Sequence, residues 1–132
     1  MTTMRIAAVL IISIALATSA ALADIKRHAS VPEALLGSWA PSADACKGDG
    51  KSVITLAAKD YTSTEMKCSV DWVSETAGPK GPIYSARMRC TRPRAQSPSI
   101  TNLIMRPDDA TRISVGPDFN KLTTYQKCDA KQ

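Results

Sequence analysis

The sequence predicts a mainly β fold: a small antiparallel meander, closing into a barrel of about six or seven strands, with a short N-terminal helix and two disulfides. Three observations predict it. From residue 52 onward the side chains alternate between apolar and polar with period two. Clusters of Gly, Pro and Asp separate the alternating runs at short intervals. Four cysteines, Cys46, Cys68, Cys90 and Cys128, follow what reads as an export signal.

The signal reading rests on Arg5, the apolar run Ile6 to Ala17, and the small-x-small pattern Ala21-Leu22-Ala23. A cut after Ala23 would leave one domain of 109 residues, Asp24 to Gln132, with no membrane span. Ile6 to Ala23 would be at the short end for a spanning helix, and Thr18, Ser19 and several alanines dilute its end. The expected location is the periplasm or the extracellular space.

After the cut, Asp24 to Ala29 reads as a polar, mobile lead-in. Ser30-Val31-Pro32-Glu33 has the form of a capping box, so Val31 to Leu36 is expected as a short helix stopped by Gly37. Ser52 to Ala57 reads as a strand. Thr62 to Val73 reads as a longer one, with Thr64, Met66, Cys68, Val70 and Trp72 on one face. Ile83 to Thr91 sets Tyr84, Ala86, Met88 and Cys90 on one face and Ser85, Arg87 and Arg89 on the other. Ile100 to Met105, Arg112 to Val115 and Leu122 to Lys127 complete the set. Turn chemistry separates them at residues 77–82, 93–98, 107–109 and 116–118.

The hairpin around Gly78 to Gly81 constrains the bridges. If it is centred near Pro79, Cys68 faces Cys90 on the apolar side with Trp72 and Met88, and Asp71 faces Arg87 on the wet side. That register favours Cys68–Cys90 with Cys46–Cys128. The sequential scheme, Cys46–Cys68 with Cys90–Cys128, stays open, because chain entropy assigns each bridge roughly 3–5 kcal/mol in either scheme.

No catalytic constellation emerges. The single histidine, His28, falls in the expected lead-in, and cysteines held in disulfides are not nucleophiles. Glu65 and Asp71 can be set on one polar strand face as a carboxylate pair, but alternation alone produces that arrangement. No CxxC spacing is present, and neither a metal nor another cofactor is expected. Gly48 to Ser52 imitates the tail of a phosphate-binding loop, yet Ala45 stands where the first glycine belongs and a strand follows. Asp108-Asp109 and Asp118-Phe119-Asn120 read as turn formers.

After loss of Arg5, sixteen Lys and Arg stand against twelve Asp and Glu, a net charge of +4. The basic cluster Arg87, Arg89, Arg92 and Arg94, with Lys80 at the far end of the hairpin, is the candidate partner surface. It suits an anionic envelope component or a protein. Nucleic acid is not expected, since few aromatics interleave the arginines. The leading expectation is a non-enzymatic binding protein. An inhibitor of a protease or other hydrolase would use the loops Gly78 to Pro82 or Pro93 to Pro98. A carrier of small apolar ligands is the third possibility, although one Phe, two Trp and three Tyr supply little aromatic lining.

Gly37-Ser38-Trp39, entering a strand just after a short helix, resembles the G-x-W opening of lipocalins and lipocalin-like bacterial barrels. The resemblance spans Leu36 to Ala40, and it implies a glycine at a bend and a tryptophan plugging the barrel end. The wider layout, this motif followed by four spaced cysteines, the last after Tyr125-Gln126-Lys127, is similar to small exported four-cysteine proteins of proteobacteria. That likeness implies fold and location more than activity.

Overall fold

The computed structural model describes residues 25–48 and 50–128. The signal-sequence reading of Met1 to Ala23 lies outside the described residues. Among the described residues there are nine antiparallel strands: β1 Lys26–His28, β2 Gly37–Ala40, β3 Ile54–Leu56, β4 Asp60–Thr62, β5 Lys67–Gly78, β6 Gly81–Thr91, β7 Ser99–Pro107, β8 Arg112–Gly116 and β9 Thr123–Lys127. Strands β2 to β9 close into an eight-stranded barrel by pairing β9 with β2 and β5 with β6. Strand β1 lies outside that circuit on the edge of β5. The barrel therefore has more strands than the six or seven expected.

Two differences account for the extra strands. The run read as one strand from Thr62 to Val73 is broken. Ser63 folds the chain back by accepting from the N–H groups of Glu65 and Met66 through its hydroxyl, and its own N–H donates to the Met66 carbonyl at 2.9 Å. A serine side chain that competes for nearby backbone donors ends a strand even where the alternation continues. Glu65 is thus in a turn, away from the strand that carries Asp71. The second difference is that the expected mobile lead-in contains β1, which pairs Lys26 with Glu75, Arg27 with Ser74 and His28 with Val73.

Helical content is small. Glu33–Leu35 forms a single 3₁₀ turn, and no side chain caps it because Pro32 occupies the N-cap position. The Ser30–Glu33 capping box does not form. Val31 instead donates its N–H to Ala58 at 2.8 Å and buries its side chain, which draws the segment across the β3–β4 turn. A second helix, α1 Ala43–Lys47, was not expected. Ser42 caps it by accepting from the Ala45 N–H at 3.1 Å.

One packed cluster fills the barrel, with Leu35, Trp39, Leu56, Val73, Met88, Met105 and Ile113 fully enclosed. Eight strands leave an interior about wide enough for side chains alone. Trp39 donates its indole N–H to the Leu35 carbonyl at 3.0 Å, so its one polar atom is satisfied at the barrel end. Gly37 precedes it with φ of 123°, a backbone angle that residues with a Cβ rarely adopt.

The bridges are Cys46–Cys128 and Cys68–Cys90. Cys68 and Cys90 face each other directly across β5 and β6 in the barrel core. Cys46 on α1 reaches Cys128 just past β9, beside the β2–β9 seam.

Candidate anion-binding face

The outer surface of β1, β5 and β6 takes its form from one bulge. From the turn Gly78-Pro79-Lys80-Gly81 the strands pair in register up to Trp72 opposite Arg87. Beyond it Val70 pairs with Met88, so Asp71 is an extra residue on β5. Without the bulge, Trp72 would share the inner face with Cys68 and Val70, as the alternation predicts. With it, Val73 turns inward to full burial and Trp72 turns outward. Asp71 does not face Arg87; its carboxylate meets Nε of Arg89 at 3.4 Å.

Trp72 then sits between two guanidiniums. Arg27 of β1 lies 4.7 Å from the ring centroid and Arg87 of β6 lies 4.9 Å from it. The two strands flank β5, so the arginines approach the indole from opposite sides, roughly 10 Å apart by two strand spacings. Both guanidiniums lie within cation–π distance of the one ring. Among the described residues neither Arg27 nor Arg87 belongs to an ion pair.

The five basic residues singled out from the sequence do not form one site. Arg87 and Arg89 point outward side by side on β6, with Arg89 65% exposed. Arg92 and Arg94 stand in the exposed loop after β6, where Arg92 borders a hollow with Ser63, Met66 and Pro93. Lys80 is at the hairpin tip near Ile83 and Arg106, roughly 35 Å along β6 from Arg92. The residues that sequence reasoning missed are Arg27, assigned to a mobile lead-in, and Trp72, assigned to the core. Only the basic run Lys26-Arg27-His28 hints at the first.

Strand β1 is fixed at the inner side as well. His28 Nε2 lies 3.0 Å from Glu75 Oε1, and its ring stands 6.3 Å from that of Tyr84. Burial pushes the Tyr84 hydroxyl above the usual tyrosine range, and the neighbouring Glu75 carboxylate pushes it further. This trio anchors the strand that presents Arg27.

Fold and face together define a small disulfide-bonded antiparallel β-barrel with a basic, aromatic-centred outer surface. No family model matches the chain, and no curated protein or solved structure matches it either.

Proposed function

We propose that this chain is an exported, non-enzymatic binding protein of the periplasm or extracellular space, and that its outer β1–β5–β6 face receives an anionic partner of the envelope. The observation that carries the reading is the Trp72 indole held between Arg27 and Arg87. A guanidinium resting on a ring has already lost much of its rotamer freedom, so less is lost when a ligand arrives. Its N–H edge stays available for a carboxylate or phosphate.

Two disulfides suit an oxidising compartment. The reading assigns no catalysis because the single histidine is committed to Glu75 and all four sulfurs are in bridges. The packed interior favours a surface binder over a carrier of apolar ligands.

Chromatography on immobilised heparin tests the proposal. The protein should be retained and eluted by salt, and the double variant Arg27→Glu, Arg87→Glu should flow through at low salt. The charge-matched control Lys47→Glu, Lys121→Glu should remain bound. If the two double variants behave alike, net charge alone is at work and this face is not the site.

A further inference from the structure

Beside the Trp72 stack the outer face dips into a groove of about 630 Å³ across β4, β5 and β6, bordered by Pro98. Two cross-strand rows form its floor. One runs from Asp60 through Ser69 to Arg89, and the other from Thr62 through Lys67 to Thr91, each residue pairing with the next. All six side chains are exposed. Among the described residues Asp60 and Lys67 are in no ion pair. Asp71 engages only Nε of Arg89, which leaves the rest of that guanidinium fork open.

The geometry points to a binding site for an acidic oligosaccharide, a chain of sugar units bearing carboxylates, in this groove. The assignment rests on the anion-binding reading above and narrows it. An ionised carboxylate only accepts hydrogen bonds, so Asp60 calls for a ligand with hydroxyl donors. Lys67 and Arg89 only donate, so they call for negatively charged acceptors. Thr62, Ser69 and Thr91 can do either, as sugar hydroxyls can.

Other anions fit less well. An acidic peptide or a polyphosphate brings charge without a matching set of hydroxyl donors and sets that charge against Asp60. A nucleobase would need an aromatic platform to stack on, and no aromatic side chain lines the groove. An acidic sugar chain offers both halves of the complement, and its further carboxylates can continue toward Arg87 and Arg27.

The test is a titration of the whole protein, followed by amide shifts in NMR spectra, with tetragalacturonate, maltotetraose and tetraglutamate. Tetragalacturonate should bind best and shift the amides of residues 60, 62, 67, 69, 89 and 91. Asp60→Asn should weaken it by about tenfold, the loss of hydrogen bonds to a charged group, while strengthening tetraglutamate. Thr62→Val should weaken it by about threefold, the loss of one neutral hydrogen bond. Equal binding of tetraglutamate and tetragalacturonate, or an unchanged affinity in Asp60→Asn, would overturn the saccharide assignment and leave the anion-binding face standing. Failure of every probe together with failure of heparin retention would overturn both.

Discussion

Asp71 has no partner of its own across the β5–β6 hairpin, and its carboxylate instead meets Arg89 at 3.4 Å. That single surplus residue shifts the register, so that Trp72 faces out and Val73 faces in, while Cys68 still stands opposite Cys90.

Removing the surplus residue should therefore be tolerated. Deletion of Asp71 leaves Val70 inward, Trp72 outward and Val73 inward in unbroken alternation, so disulfide mapping should still find Cys68–Cys90. Deletion of Thr76, on the regular stretch nearer the turn, flips Trp72 inward and Val73 outward. Trp fluorescence, soluble yield and bridge mapping should separate the two deletions sharply.

The two bridges should differ in accessibility. Cys68 and Cys90 are buried at 4% and 1% exposure, whereas Cys46 and Cys128 are only half-buried. Brief reduction followed by alkylation should label Cys46 and Cys128 first. Chain entropy assigns about 4.5 kcal/mol to the outer bridge and about 3.4 kcal/mol to the inner one, for sequence separations of 82 and 22. Replacing Cys46 and Cys128 by serine should lower the melting temperature strongly while the inner bridge still forms.

Gly116 is set by a close approach. A Cβ there would collide with the carbonyl oxygen of Lys121, a backbone atom that cannot swing aside. Gly116→Ala should destabilise the barrel by about 2 kcal/mol, read from denaturant unfolding.

Alkaline pH should unfold the protein through two tyrosines. Burial pushes the Tyr61 and Tyr84 hydroxyls above the ordinary value of 10.0, with the charges of Tyr125 on Tyr61 and Glu75 on Tyr84 adding to it. Below pH 10 these phenols are neutral in both states. Above it the unfolded chain loses its protons first, so stability falls until the raised folded values are passed. Melting temperature against pH should drop above about pH 10, the unperturbed tyrosine range. The drop should be shallower in Tyr61→Phe and Tyr84→Phe.

Much of the architecture was legible because alternation and turn chemistry are local signals. The hairpin and the inward set Tyr84, Ala86, Met88 and Cys90 follow from β6 alone, and Cys68 meets Cys90 as expected but by another route: the turn pairs Gly78 with Gly81 rather than centring on Pro79, and the Asp71 bulge makes up the one-residue difference. Asp108-Asp109 and Asp118 also act as the turn formers they suggest: Asp109 accepts from the Thr111 N–H and Asp118 from the Asn120 N–H, each at 2.8 Å. The site was less legible, because its two central residues depend on tertiary events. A bulge leaves no mark in the alternation, so the sequence pattern places Trp72 in the core. Three residues are too few to show a period, so β1 and its Arg27 read as a lead-in. The groove draws on β4, of which the alternating run from Thr62 takes in only the last residue, because Ser63 to Met66 continues the pattern through a turn.

The nested bridges have a topological consequence. Cys46–Cys128 encloses nearly the whole barrel in one covalent ring, and Cys68–Cys90 closes a smaller ring inside it. A protease that cuts the hairpin tip at 78–81 leaves its two pieces joined by both bridges. A second cut in the exposed loop 92–98 still leaves every fragment tied to the segment that carries Cys46 and Cys68. Such a doubly nicked molecule should run as one band on a non-reducing gel and separate into three only on reduction, so backbone continuity and molecular integrity are separate properties of this barrel.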